Sequence, residues 1–513
     1  MWPRAPGTFS EAPRRGRGRR PPGGSCRRNA VRRESPWPQA RGGGGRPRLP
    51  GGWRRAKARG VPWSHPRGRH ETAAVSVPPR RRALRTGNLP IIGTPTSRKY
   101  GSRLLSVSKG AATASRGSGR TIRTRQGYSA FVPDPLPPRI EFGGSLVRAL
   151  SDADRAIGRL AGEGGRLPNP HLLIRPFVRR EAVLSSRIEG TRATLGELLA
   201  SEAGAAVDRS PEDLREVANY VVALEHGVGR LKKLPLSLRL VRELHDRLMR
   251  GVRGGAAGPG EFRRTQNWIA APGSTLANAT FVPPPPEEMK AALGAWEVFL
   301  HDRSLPPLVQ IALLHAQFET IHPFVDGNGR VGRLLITLFL VGRGILPAPL
   351  LYLSAFFEAT RRDYYDKLLA VTARGDWEAW IEYFLDGVAR QAEDALFRAE
   401  RINQVLTRWR ETAAGRSASA LRLVDLLAGN PFWTVKRAGE RLGVAFTTAQ
   451  RAVEALERAG ALRPTSAARR DRVYCARAIL EILEEPARLT ASGEPGRAGR
   501  RAATGGASRR RSP

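Results

Sequence analysis

Apolar residues recur at helical spacing through most of residues 144–412. The pattern predicts helices over 144–163, 170–203, 210–233 and 236–252, then 286–302, 306–321, 328–342, 361–372 and 376–412. Two of these hold the apolar runs Leu308 to Ile321 and Leu334 to Val341, long enough for buried helices. Between 266 and 283 the period changes. Asn267-Trp268-Ile269 and Thr280-Phe281-Val282 are β-prone runs with Pro272-Gly273 and Asn278 between them, and Pro283 to Pro286 stops the second. That reads as a short exposed hairpin. No internal repeat is visible, and the body is expected to be mainly α with one hairpin.

A second unit is expected over 417–485. Leu421 to Leu427 predicts one helix, Thr434 to Leu442 a second closed by Gly443, and Thr447 to Ala459 a third with Thr447 or Thr448 as cap. Ala461-Leu462 and Arg472-Val473-Tyr474 read as short strands around a basic loop, Arg463 to Arg472. Three helices followed by a β-wing is the order of a winged helix-turn-helix. Gln450 and Arg451 on its third helix, with Arg469, Arg470 and Arg472 in the loop, are its candidate DNA contacts. Many such units contact only protein.

Charge changes the picture at the ends. Residues 1–130 carry a net +28 and residues 486–513 a net +6, which leaves +6 of the chain's +40 on residues 131–485. Both ends are rich in Arg, Gly and Pro and poor in apolar periodicity, so they are expected to be disordered basic tails. Arginines in such tails can bind polyanions. The bland alternative is biased base composition or an overextended start; the next methionine after Met1 is Met249. No apolar core follows the first arginines, which argues against a secretory signal. The apolar run Leu334 to Phe357 is broken by Gly342-Arg343-Gly344 and two prolines, so no membrane span is expected. Cys26 and Cys475 are the only cysteines, which excludes a disulfide framework and suits a reducing cytoplasm.

The candidate chemistry lies between the two most apolar helices, in His322-Pro323-Phe324-Val325-Asp326-Gly327-Asn328-Gly329-Arg330-Val331-Gly332-Arg333. The chain leaves one helix at His322, turns on Gly327 and Gly329, and enters another whose free N–H groups favour phosphate. Arg330 and Arg333 are three apart and share a helix face, where they could meet further phosphate oxygens. Asp326 could hold magnesium, a hard cation that prefers oxygen. His322 could take a proton at neutral pH. The set suits chemistry on a nucleoside triphosphate, although singly each residue is more often structural. Upstream, Ser185 and Glu189 lie four apart in Ser185-Ser186-Arg187-Ile188-Glu189-Gly190 and so share a helix face.

The first string resembles, without departure, the Fic/Doc family signature His-Pro-Phe-x-(Asp/Glu)-Gly-Asn-(Gly/Lys)-Arg-x-x-Arg. The second matches that family's inhibitory motif, (Ser/Thr)-x-x-x-Glu-(Gly/Asn). The resemblance covers residues 131–412 and implies a Fic-type helical core with a β-hairpin flap. In its terms the chain divides into a disordered segment 1–130, an N-terminal helical region 131–205 with the inhibitory helix, a catalytic core 206–412, the winged unit 417–485, and a tail 486–513. The resemblance implies an adenylyltransferase that moves AMP from ATP to a Tyr, Ser or Thr hydroxyl of a target protein or of itself. His322 would be the base and Asp326 the magnesium ligand. Gly327, Asn328 and Gly329 would form the anion hole, and the stretch from Arg330 through Val331 and Gly332 to Arg333 would complete the nucleotide site. Glu189, with Ser185, would hold Arg333 against the γ-phosphate pose. Phe324 would anchor the loop, the hairpin would align a target strand, and Tyr364 and Tyr365 lie where the family builds its adenine pocket. A homodimer stays open. The alternatives are a Fic enzyme with kinase-like, phosphocholine-transferring or AMP-removing chemistry, a DNA-binding regulator that senses nucleotide, or a helical structural protein. Gly329 argues against the kinase-like branch, which tends to carry Lys there.

Overall fold

The structure, a computed structural model, describes residues 118–166, 170–252, 258–270, 274–414, 417–466 and 471–488. The expected tails therefore lie mostly outside the described residues. One part of that expectation is corrected. Order begins before Phe131, because β1 (Gly119–Arg123) pairs antiparallel with β2 (Ser129–Pro133), Thr121 opposite Phe131. Each strand is only five residues long, a weak signal beside so many arginines.

The body is helical. α1 (Gly144–Arg166) and α2 (Pro170–Ile188) lead to α3 (Leu195–Glu202), α4 (Pro211–Leu231) and α5 (Leu238–Leu248). The single helix expected over 170–203 is two. Gly190 takes φ 95°, which ends α2, and Thr194 opens α3 with a capping box to Glu197. α6 (Pro286–Leu300), α7 (Pro307–Ile321) and α8 (Asn328–Gly342) follow, then α9 (Ser354–Ala359), α10 (Arg361–Arg374) and the 37-residue α11 (Trp377–Ala413). α7 and α8 are packed in the middle, with residues buried on every face, as their long apolar runs require. α1 lies along α11, and α4 and α8 pack together.

The expected hairpin over 266–283 is reduced to one bridge, Ile269 to Phe281, with a 3-10 turn at Leu276–Asn278. Its first arm is buried rather than exposed: Asn267 and Ile269 are 6% and 7% exposed. Residues 271–273 lie outside the described set. β2 extends the second arm, since the Phe131 N–H donates to Val282 O at 2.9 Å.

The C-terminal unit comprises α12 (Ala418–Leu427), β3 (Phe432–Thr434), α13 (Val435–Leu442), α14 (Phe446–Arg458), β4 (Arg463–Pro464), β5 (Val473–Cys475) and α15 (Arg477–Glu484). Its sheet has the order β3-β5-β4. Thr434 caps α13, accepting from the Arg437 N–H at 3.1 Å. α14 starts at Phe446 with Ala445 in the cap position, so the expected Thr447 or Thr448 cap is corrected. Ala461 and Leu462 are buried just before β4 rather than in a strand. Arg469 and Arg470 lie outside the described residues.

α15 ties this unit to the rest. Buried Arg180 on α2 donates to Leu483 O at 2.9 Å, and buried Arg398 on α11 donates to Ile482 O and to Pro486 O. Cations there answer the partial negative charge of a helix C-terminus. Pro486 to Arg488, placed in the expected tail, are therefore ordered; Arg488 lies 4.0 Å over the Phe397 ring. Among the described residues no helix is long and apolar enough to cross a membrane.

Candidate active site

α7 ends because His322 adopts left-handed backbone, φ 49° and ψ 61°. A side chain there costs about 1 kcal/mol or more, so the neighbours must hold it. Arg263 Nε and Asn267 Nδ2 donate to His322 O at 2.9 and 3.3 Å. The ring Nδ1 is 3.2 Å from Glu319 O. A carbonyl can only accept, so Nδ1 carries the proton and Nε2 is the nitrogen able to take one. Burial holds this imidazole down to about 4, with Glu319 O pulling the other way and Arg263 adding to the depression. His322 is therefore neutral at pH 7.

The loop after it is anchored as expected. Phe324 is fully buried, its ring stacked 3.7 Å from that of His245. Asn328 folds back over the loop: its Oδ1 accepts the Phe324 N–H and its Nδ2 donates to Phe324 O, both at 2.8 Å. Its side chain thus braces the loop, with one of its two amide hydrogens used on Phe324 O. Gly327 turns the chain at φ 80°; a Cβ there would lie 2.8 Å from Met249 Sδ. In α8 the Val331 N–H donates to Gly327 O at 3.0 Å. The N–H groups of Asn328, Gly329 and Arg330 precede it, at the end where a helix presents its orphan donors.

The two arginines part company. Arg333 is 2% exposed; its Nε donates to Ser185 Oγ at 2.8 Å and one Nη to Ser185 O at 3.0 Å and Glu189 Oε1 at 2.7 Å. Burial pushes the Glu189 carboxyl up, but Arg333, with smaller help from Arg330 and His322, brings the net direction down. Burial likewise opposes the charge on Arg333, and Glu189, Tyr364 and Glu319 together outweigh it and raise the guanidinium. Arg330 turns away beneath the loop, 3.8 Å from Glu216, 3.6 Å from Asp326 and 3.6 Å from Met249 Sδ. It does not line the cleft. Val331 is core, and Gly332 packs on Glu319 and His315.

The cleft, counted together with its open mouth, spans about 800 Å³ of empty space. His322, Asp326, Gly327, Asn328, Gly329, Arg333 and Glu189 line one end. Trp268, Ile269 and Phe281 come from the bridge, and Tyr364, Tyr365, Leu368 and Thr372 from α10. Tyr364 is buried, hydrogen-bonded to His315 at 2.9 Å. Glu319 also lines the cleft, with one carboxylate oxygen buried and without a hydrogen-bond partner among the described residues. Burial pushes it up to about 8; Arg333 opposes the shift and Glu189 adds to it. Arg263, Asn267, His245 and Glu319 were not expected in the site. Nothing in their local sequence marks them, because each acts on residues distant in the chain or is a single helix carboxylate.

Among the described residues no group of three His, Cys, Asp or Glu is placed to hold a metal alone. Asp326 offers a single carboxylate, with Oδ1 accepting the Gly327 N–H at 2.6 Å. That fits a magnesium ion carried largely by phosphate oxygens and water.

The sequence itself matches two family models: Fic/DOC family N-terminal over residues 147–229 and Fic/DOC family over residues 235–340. The chain belongs to the Fic/DOC family. This Fic chain is 30% identical over 208 residues to the protein adenylyltransferase Fic of Drosophila virilis, 39% of each chain. It is 28% identical to that of Drosophila melanogaster over 39% of this chain and 38% of that one. It thus spans about two fifths of the length of the curated relatives it matches, and is distantly related to them. Among solved structures, a Fic family protein from Desulfovibrio desulfuricans G20 is 21% identical, with TM-score 0.45 over 66% of this chain and 98% of that one. Fic-1 (residues 134–508) from C. elegans is 24% identical, with TM-score 0.38 over 50% and 74%.

Proposed function

We propose that this chain is a protein adenylyltransferase held in check by Glu189. The observation that carries the proposal is the convergence, on one cleft wall, of a neutral His322, the N-terminus of α8, and Arg333 clasped by Glu189. ATP would lie with its phosphates on the loop from Asp326 to Gly329 and its γ-phosphate toward Arg333. His322 Nε2 takes the proton of a target hydroxyl as that oxygen bonds to the α-phosphorus. The bond from the α-phosphorus to the bridging oxygen breaks, pyrophosphate leaves, and AMP remains on the target. Magnesium, when bound with ATP, supplies charge neutralisation, and Asp326 is the residue that would hold it. The rest is alignment and fixed dipoles. Arg330 acts from below the loop, where it pairs with Asp326.

The deciding experiment compares α-labelled with γ-labelled ATP on the Glu189→Gly protein. Label retained from the α-position alone, and lost in Glu189→Gly with His322→Ala, supports AMP transfer. Label from the γ-position means kinase-like chemistry, and no label from either position overturns the transferase reading.

We read the C-terminal unit as a winged helix built for protein contact. One groove along its α13–α14 face, which Glu202 of α3 also lines, carries Glu440, Glu454, Glu457 and Asp471 beside Lys436, Arg437, Arg441 and Arg472. That balance of charge suits a phosphate backbone poorly. Protein lacking residues 1–117 and 489–513 should fail to shift duplex DNA at low salt; a salt-dependent shift would favour the DNA-binding reading. Cys475 is a buried free thiol, and we place the protein in the cytoplasm.

A further inference from the structure

The brake needs space as well as charge. Glu189 reaches Arg333 across the first turn of α8, and Gly329 is the residue beneath the contact. Gly329 is not required by its own backbone. It is the second residue of α8, in ordinary helical backbone that alanine adopts readily. Gly327 differs, since its φ of 80° itself favours glycine. What bars a side chain at 329 lies overhead. A Cβ there would overlap Glu189 Oε1 and stand 2.9 Å from one terminal nitrogen of Arg333 and 3.4 Å from the other.

We infer that Gly329 is the seat of the inhibitory carboxylate, a positioning residue whose missing side chain lets Glu189 close on Arg333. This rests on the autoinhibition proposed above and adds the steric condition for it. A methyl group at 329 meets the far ends of two side chains, not backbone, so the ion pair yields while α8 stays in place. Arg333 keeps its two bonds to Ser185, at 2.8 and 3.0 Å, and remains at the cleft. Gly329→Ala should therefore open the brake with the inhibitory glutamate still present.

A competing account of Gly329 is that bare backbone lets phosphate approach the helix. In that case alanine weakens nucleotide use whether or not Glu189 is there. A double-mutant cycle on the full chain separates the two. Initial labelling rates with magnesium and α-labelled ATP are measured for wild type, Glu189→Gly, Gly329→Ala and the double variant, each checked for helical circular dichroism. The quantity read is the acceleration caused by Glu189→Gly in each background. The seat predicts a large acceleration with Gly329 intact and one within about twofold of unity in the Gly329→Ala background, the range of additivity error. An acceleration just as large in the Gly329→Ala background overturns the seat and leaves the brake standing. No acceleration with Gly329 intact overturns the brake, and the seat with it. Where alanine slows turnover beyond measurement, the same ratio is read as magnesium-ATP affinity by titration.

Discussion

Replacing Glu189 by glycine removes one carboxylate from the cleft and leaves the other partners of Arg333 in place. Before the change Arg333 makes three short bonds, two to Ser185 and one to Glu189; afterwards it keeps the two to Ser185. A hydrogen bond with a charged partner is worth about 1.5–3 kcal/mol net. Glu189 keeps 25% of its side chain exposed while Arg333 keeps 2%, so solvent screens one partner and the lower half of that range is expected. At about 1.4 kcal/mol per tenfold, labelling should rise roughly 10- to 40-fold. Glu189 lies just past the end of α2, so glycine there should cost at most about 1 kcal/mol of helix stability. The assay is the initial rate of self- or target-labelling with magnesium and α-labelled ATP at equal protein. Thermal unfolding of both proteins is recorded alongside. Arg333→Ala should not reproduce the gain, because it removes the nucleotide's own partner. Equal rates for two folded proteins would show that the Glu189–Arg333 pair is a structural helix end.

His322→Ala should abolish labelling while magnesium-ATP still binds; undiminished labelling would remove the base from the mechanism. With His322 held down to about 4, the acid limb of the rate profile should lie near 4 rather than near ~6.5, the ordinary value. Stability should follow the same sign. His245, His315 and His322 are depressed to about 4, 3 and 4, so between those values and ~6.5 the unfolded chain binds more protons. Their contribution is present above ~6.5 and lost as pH falls toward 4; denaturant midpoints at pH 7 and pH 5 should differ, and less so for His315→Phe. Glu319 runs the opposite way, its contribution present in acid and lost as pH rises through about 8. Arg330→Met should act on stability, lowering it by roughly 3–5 kcal/mol, because it removes a partner of buried Glu216; an unchanged denaturant midpoint would contradict that placement. Deleting residues 1–117 should leave a folded chain with the labelling rate of the whole, and aggregation would show that the boundary at Ser118 is wrong.

Helices α4 to α8 were legible in the chain, because their apolar spacing is local and proline opens three of them. The loop from His322 to Gly329 was legible for the same reason: its parts are contiguous. Elsewhere local signals were overruled or too weak. β1 sits among arginines, yet it pairs along its whole length with β2, whose Ala130, Val132 and Pro133 are buried. α3 reads as continuous with α2 because apolar spacing resumes at Leu195, although the polar stretch Glu189 to Thr194 marks the break. The short α9, β3 and α15 carry too few turns or rungs to stand out from their surroundings.

Arg330 and Arg333 show what spacing does not decide. Three residues apart on one helix, they were expected to point at the same phosphates. Periodicity relates two side chains to each other but not to the rest of the molecule. Only the packing of α8 against α4 and α2 puts Glu216 beside the first and Ser185 with Glu189 beside the second, from 148 and 144 residues away in the Ser185 and Glu189 bonds. The same holds for Arg263 and Asn267, which brace the His322 turn, and for Glu319, whose buried oxygen gains its meaning from the Arg333 and Glu189 that face it. Sequence alone determined which residue types the chain offers and in what local order. The three-dimensional packing decided which of them share a low-dielectric space, and that decides which charges are paired and which are poised.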